Sequence, residues 1–292
     1  MFIVVESGST KADWMVVGDG VKMAYNTKGF NPYFHSKEDI LLELHDHLEL
    51  DLIKEKVEQL FFYGAGCSSP HLNRIIEKGL AAFFTNAKIY VNHDLAASAY
   101  ACYSGKPEIA CILGTGSNSC YYDGVSVSEE VPALSYILGD EGSGCYLGKK
   151  LISDYLYKRL PDTIAQDLEA QQITKEVIFE NVYRKPDANV YIASFMKTLV
   201  HYKNLSYSQR LIESAFQDFI DVHVKCYENY RDVEVNFVGS VASLLQDELH
   251  EVCEKNGIKV GRIIRRPLEH LVQYHERLSE LEFSKSFIKK MG

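Results

Sequence analysis

The sequence predicts an α/β protein made of two related halves, and three observations carry that prediction. Phe2–Val5 runs into Glu6-Ser7-Gly8-Ser9-Thr10-Lys11 and resumes as Ala12–Val17, the strand, glycine-hydroxyl turn and strand of a hairpin. The same order returns at Ala110–Leu113, Gly114-Thr115-Gly116-Ser117-Asn118-Ser119 and Cys120–Tyr122; laying Gly8 on Gly116 puts Ser7-Gly8-Ser9 on Thr115-Gly116-Ser117. After the first hairpin, apolar strands alternate with helical segments, which implies a largely parallel sheet beside it.

Each element has a local reason. Val21–Asn26 reads as a third strand closed by the Asn31-Pro32 break, and Ser36 caps a helix carrying Ile40, Leu41, Leu44 and Leu48 at helical spacing. Gln59–Tyr63 is an apolar strand stopped by Gly64-Ala65-Gly66; Ser68 or Ser69 opens the next helix, with Pro70 early in it. Ala87–Val91 is a strand ending at Asn92-His93-Asp94, and the Ala-rich run from Leu95 to Ala101 suits a helix lying close on a sheet. The second half begins near Pro107 and repeats the hairpin. It continues through Ile137–Ser143 into a helix whose Gly144 and Gly148 make a small face for close packing. From about Leu151 to Tyr230 the pattern is mainly helical, its longest helix expected over Tyr207–Tyr230. Glu234–Val238 is a strand that turns at Gly239-Ser240 into a helix over Val241–Lys255; Ile258–Ile264 and a helix from Pro267 close the chain. The expected domains are an N-terminal lobe, 1–107, and a C-terminal lobe, 108–266, with a helical insertion at about 151–230. A closing helix at about 267–292 can pack back on the first lobe.

Composition narrows the function. With 292 residues, two domains of ordinary size are the better expectation, and 46% hydrophobic with 24% charged residues is a globular balance. The formal charge of −9 argues against a nucleic-acid partner. No apolar run approaches the length of a membrane span, and Met1-Phe2-Ile3-Val4-Val5-Glu6 lacks the basic start of a signal peptide, so a cytoplasmic location without a membrane partner is expected. Seven cysteines, an odd number with no C-x-x-C pair, read as reduced, partly buried thiols.

The chemistry concentrates in the turns. Gly, Ser and Thr present backbone N–H groups and hydroxyls with no bulk in the way, which close approach to phosphate oxygens requires. Gly8, Ser9 and Thr10 in one hairpin and Gly114, Thr115 and Gly116 in the other form matched candidates for the β- and γ-phosphates of a nucleotide. Gly239-Ser240, at a helix start, adds a third turn with a positive dipole end. Lys11 is either a further phosphate partner or a surface lysine of the second strand. Glu6, at a strand end, suits Mg²⁺ as an outer or water-mediated partner, since that ion takes hard oxygen ligands and keeps several waters. Asp94 has two compatible readings: a general base that takes a nucleophile's proton, and the N-cap of the helix at Leu95.

In order along the chain, Glu6-Ser7-Gly8-Ser9-Thr10, Asp94-Leu95-Ala96-Ala97, Gly114-Thr115-Gly116-Ser117-Asn118, Gly139-Asp140-Glu141-Gly142-Ser143 and Val238-Gly239-Ser240-Val241 resemble the motifs of the N-acetylglucosamine kinases and related BadF/BadG-type ATPases, in the sugar kinase, hsp70 and actin superfamily. The resemblance covers both halves. It implies an α/β fold of two ribonuclease-H-like, actin-like ATPase lobes with a central cleft for ATP and a sugar, and an ATP- and Mg²⁺-dependent transfer of the γ-phosphate to the 6-hydroxyl of N-acetylglucosamine or a related hexosamine. Asp94 matches the catalytic base. Asn31, Asn118 and Asp140 match sugar-binding positions, with Ser117 close by; Gly239 and Ser240 match the nucleotide side. A homodimer is compatible with the resemblance. Three other readings are a kinase for glucosamine or an N-acetylmuramic acid type of sugar, a BadF-type ATPase that activates a partner enzyme, and a sugar sensor without catalysis. Asp94 and the two phosphate turns weigh against the sensor.

Overall fold

β-branched and aromatic residues dominate Phe2–Ser7 (β1); Lys11–Gly18 (β2) pairs with it and Val21–Lys28 (β3) pairs with β2, as an antiparallel meander. In the computed structural model the described residues are 1–8, 11–18 and 20–291, with side chains described through Glu280. The expected phosphate-turn residues Ser9 and Thr10 lie outside the described residues. Gln59–Gly64 (β4) and Lys88–His93 (β5) add to the other edge of β1 in parallel, giving the order β3-β2-β1-β4-β5.

The second half repeats this plan strand for strand. Glu108–Leu113 (β6) pairs antiparallel with Ser117–Tyr122 (β7), which pairs with the two-residue Val127–Ser128 (β8). Glu234–Val238 (β9) and Lys259–Ile264 (β10) extend the other edge of β6 in parallel, so the order is β10-β9-β6-β7-β8. The two sheets share one topology, which is what the matched hairpins predict. The chain divides into two compact units, residues 1–103 with 267–292, and residues 104–266.

In the first unit the helices at Lys37–His45 and Pro70–Phe83 cover one face of the sheet. Ser36 caps the first through a reciprocal pair with Asp39, and Ser69 caps the second with Pro70 in its first turn. The first helix stops at His45, short of Leu48, which is exposed. Trp14, Phe30, Phe62 and Phe84 fill the core between the layers, each contributing roughly 2–3 kcal/mol of burial. The buried indole N–H of Trp14 donates to Thr27 Oγ1 at 2.9 Å.

The other face is closed by the helices Asp94–Cys102 and Leu268–Met291, which pack on each other, with the closing helix also on β1 and β2. His275 from the closing helix stacks on Phe61 with ring centroids 3.7 Å apart and lies 2.8 Å from the hydroxyl of Tyr63. Burial pushes its pKa down to about 4 from the ordinary 6.5. The unfolded chain therefore binds a proton near pH 6.5 that the folded chain refuses until about pH 4. Stability falls as the pH drops through that window, by up to about 3 kcal/mol. Glu108, raised to about 8 by burial, works in the opposite sense. The expected result is thus a difference: between pH 7.5 and pH 5, urea midpoints should fall more for the native chain than for His275→Gln. Parallel curves would exclude this role for His275.

In the second unit a helical layer between Gly144 and Tyr230 packs on the sheet, with Leu147, Leu151, Phe216 and Phe219 among its fully buried residues. Two predicted helices are corrected. The one expected over Tyr207–Tyr230 is α-helical only from Ser206 to Phe219 and then widens into a π-helical turn at Ile220–Val224. The carbonyl of His223 in that turn accepts from Ser119 Oγ of β7 at 2.6 Å, a side-chain donor no periodicity reveals. The helix expected over Val241–Lys255 breaks at Leu245 into Ser240–Leu244 and Gln246–Lys255. Its dipole end at Gly239 is therefore that of a five-residue segment. Among the described residues, no helix is long and apolar enough to cross a membrane.

Candidate active site

In open α/β sheets, ligands collect beyond the carboxyl ends of the parallel strands. In the first unit, β1 ends at Glu6 and Ser7, β4 at Gly64 and β5 at His93, so Glu6, Gly8 and Asp94 lie at that end of the sheet. Gly8 N–H donates to the carbonyl of Lys11 at 2.9 Å, which closes the first turn. Lys11 itself is exposed and pairs with Asp13 at 2.7 Å. Glu6 is half-buried, opposite Asp13 in β2 and Tyr63 in β4.

Asn31 is buried although it lies in a loop, and its backbone and side chain fix that loop. Its Oδ1 accepts from Tyr33 N–H at 3.0 Å, and its carbonyl accepts from Phe34 and His35. Gly66, at φ +81°, comes so close that a Cβ there would lie 2.7 Å from Asn31 Oδ1. Ser7 Oγ accepts from Phe30 N–H at 2.8 Å and so ties the end of β1 to the Asn31 loop.

Asp94 is the first residue of its helix, and the structure corrects one of its two readings. The N-cap is His93, whose Nδ1 lies 3.2 Å from the N–H of Leu95. The Asp94 side chain is 36% exposed, and its Oδ1 lies 2.8 Å from that same Nδ1. A carboxylate in a first helical turn also gains from the helix dipole. Cys67 is buried, and its thiol is pushed up to about 12, chiefly by burial and also by the charge of Asp94. It is therefore held as an unreactive thiol.

In the second unit the structure brings the predicted turns and sugar-side residues of that half together. Gly114 N–H donates to the carbonyl of Gly116 at 3.0 Å. The carbonyls of Gly114 and Thr115 accept from Gly144 and Cys145, at 2.8 and 3.0 Å, so the turn is pinned to the start of the helix Gly144–Leu156. Asp140 adopts φ +61°, a left-handed conformation that costs a non-glycine residue of order 1 kcal/mol or more and tends to mark functional sites. It is held there by Ser117 N–H, 3.3 Å from its Oδ1. Gly116 leaves room for it, since a Cβ at that position would lie 2.9 Å from Asp140 Oδ2. Burial raises the Asp140 pKa, against the opposing pull of the Ser117 N–H and of Lys149.

Asn118 and Ser117 are buried beside it. Asn118 Oδ1 accepts from Ser119 N–H at 2.8 Å, and its Nδ2 donates to Glu129 at 3.3 Å. Gly239, at φ +131°, passes so close to the end of β6 that a Cβ would lie 2.3 Å from the carbonyl oxygen of Leu113. The turn Gly239-Ser240 thus abuts the turn at Gly114 directly, and Ser240 is exposed.

Sequence reasoning missed His93, Glu129 and the pair Glu141–His223, whose carboxylate and imidazole lie 3.5 Å apart. The first stood next to a residue already singled out, and Glu141 stands inside the Gly139–Ser143 motif. Glu129 and His223 carry no local signal. For a metal, no group of three or more His, Cys, Asp or Glu side chains gathers among the described residues. A Mg²⁺ ion that arrives with a nucleotide needs only one or two carboxylates besides phosphates and waters, and half-buried Glu6 fits that requirement.

Two mixed five-stranded sheets of one topology, with flanking helices and glycine turns at strand ends, define the actin-like ATPase fold of the sugar kinases. No protein-family profile matches the sequence, and no curated protein does. Among solved structures, one from Porphyromonas gingivalis described as a putative N-acetylglucosamine kinase is 33% identical with a TM-score of 0.89, covering 95% of this chain and 99% of its own. At that identity over that span, the chain belongs to the same family as the Porphyromonas gingivalis protein. A second putative N-acetylglucosamine kinase, from Chromobacterium violaceum, shares the fold at 15% identity and TM-score 0.68, covering 94% of this chain and 98% of that one. A ROK family glucokinase from Streptomyces griseus, in complex with glucose and AMPPNP, does so at 14% identity and TM-score 0.53, covering 94% and 97%.

Proposed function

We propose that the protein transfers the γ-phosphoryl group of ATP to the 6-hydroxyl of N-acetylglucosamine or a related hexosamine, with Asp94 as general base. The observation that carries this reading is the state of Asp94. It is a carboxylate at the ligand-collecting end of its sheet that stands at the first position of its helix and not at the N-cap, which is His93, and its side chain is 36% exposed. The fold of sugar kinases and the description of the Porphyromonas gingivalis relative support the substrate class. The AMPPNP complex of the glucokinase supports ATP.

In this reading the sugar is held by Asn31, Ser117, Asn118 and Asp140. The amides offer both donors and acceptors to hydroxyl groups, and Asp140 offers acceptors in a fixed, left-handed geometry. The turns at Gly8 to Lys11, Gly114 to Gly116 and Gly239-Ser240 present N–H groups and hydroxyls to the phosphates. Glu6 would hold Mg²⁺ through water, and the ion would supply charge neutralisation at the phosphates. The 6-hydroxyl oxygen forms a bond to the γ-phosphorus as the bond to the ADP oxygen breaks, and the hydroxyl proton passes to Asp94. Binding and orienting the two substrates in line supplies most of the remaining acceleration.

The test is ADP release with Mg-ATP against N-acetylglucosamine, glucosamine, N-acetylmannosamine, N-acetylmuramic acid and no sugar. Stimulation by one of these hexosamines is expected, strongest with N-acetylglucosamine. ADP release indifferent to every sugar would overturn the kinase reading in favour of an ATPase that activates a partner.

A further inference from the structure

His93 holds two contacts with one nitrogen. Its Nδ1 is 3.2 Å from the N–H of Leu95 and 2.8 Å from Oδ1 of Asp94. In a neutral imidazole Nδ1 either accepts or donates, so the two contacts exclude each other at any instant. With Asp94 ionised, an accepting Nδ1 would set its lone pair against a carboxylate oxygen, whereas a donating Nδ1–H would make a charge-assisted bond, and the shorter distance is the one to Asp94. Histidine is also an unusual helix cap, since Ser, Thr, Asn and Asp fill that position far better. The residue is therefore poorly explained as a cap alone.

We propose that His93 is a positioning residue for Asp94, donating from Nδ1–H to Oδ1 so that Oδ2 faces outward to take the proton of the reacting hydroxyl. The role of Oδ2 rests on the function proposed above; the bond itself does not. Fixing one carboxylate oxygen removes the rotation that would otherwise let the base swing away from the nucleophile, and small errors in such placement can lower a rate about 100-fold.

The experiment has an arm for each part. Nitrogen-15 NMR of the histidine ring reports which nitrogen carries the proton. The native protein should show His93 protonated at Nδ1, and Asp94→Ala should shift it to the Nε2–H tautomer as Nδ1 returns to Leu95. A native Nε2–H tautomer overturns the proposal whatever the protein's activity. In the second arm, His93→Ser keeps a good cap without a donor that reaches Oδ1, and His93→Asn keeps both a cap and an N–H donor. The serine variant should lose about 10- to 100-fold in kcat, with KM for the sugar within about twofold and Tm unchanged, and the asparagine variant should recover most of the loss. Equal, native-like kcat in both variants overturns the positioning role. If Asp94→Asn, measured beside them, is inactive, that result leaves the proposed function standing; if Asp94→Asn is active, it is the proposed function that fails.

Discussion

Asp94→Asn is expected to lower sugar-stimulated ADP release by roughly 10²- to 10⁴-fold, the range in which positioned general bases contribute. Asparagine has the same shape, and its one oxygen can keep the bond from His93, so the side chain stays in place while the proton acceptor is lost. The helix is not at risk. The N-cap position is His93, and the substitution forfeits the interaction of one carboxylate with the dipole of the first turn, a few tenths of a kcal/mol at a residue with this exposure, and turns the charge-assisted contact with His93 into a neutral one. Sugar binding should persist because it is assigned to Asn31, Ser117, Asn118 and Asp140, and calorimetric titration with N-acetylglucosamine should give an affinity within a few-fold of the native protein. Loss of turnover with retained binding separates the base from the binding residues. Retained turnover would remove Asp94 from the chemistry.

How much of this was legible in the sequence varies with the range of the interaction. The two hairpins were readable because each lies in a dozen contiguous residues: alternating apolar residues define the strands, and glycine with hydroxyl residues defines the turn. Their equivalence foretold one topology for both sheets, since a repeated local pattern folds into a repeated local structure. The caps at Ser36 and Ser69 followed for the same reason. The break at Leu245 and the π-helical turn at Ile220–Val224 were not readable, because apolar spacing continues through both. In the second, the His223 carbonyl accepts from Ser119, a serine about a hundred residues earlier in the chain. Asp94 was singled out as chemistry or cap, but its surroundings are set by a neighbour: Nδ1 of His93, at the N-cap position, lies 3.2 Å from Leu95 N–H and 2.8 Å from Asp94 Oδ1. Asp140 shows the same division. Its motif was visible, whereas its left-handed backbone depends on Ser117 N–H and on the space left by Gly116.

Gly148→Ala should destabilise the protein by about 2–3 kcal/mol even though alanine is the better helix former. Gly148 lies inside the helix Gly144–Leu156, where an exposed replacement of this kind gains about 1 kcal/mol. Here a Cβ would lie 2.0 Å from the carbonyl oxygen and 2.8 Å from the carbonyl carbon of Ile192, in the helix Ala188–Ser194. Both atoms are backbone, so no rotamer change relieves the overlap, and the helices must move apart along a well-packed core. Gly144, where the nearest atom is the Cβ of Ala193 at 3.2 Å, gives the graded comparison: Gly144→Ala should cost distinctly less. The consequence reaches the turn at Gly114, because Gly144 and Cys145 at the start of the same helix donate to its carbonyls. A helix pushed off Ile192 therefore shifts the turn assigned to the nucleotide, and KM for ATP should rise in Gly148→Ala in step with the loss of stability. Urea denaturation followed by circular dichroism measures the first effect and steady-state kinetics the second. A Gly148→Ala protein as stable as the native one would mean that these helices can separate freely, and the close approach would then not be what holds the turn in place.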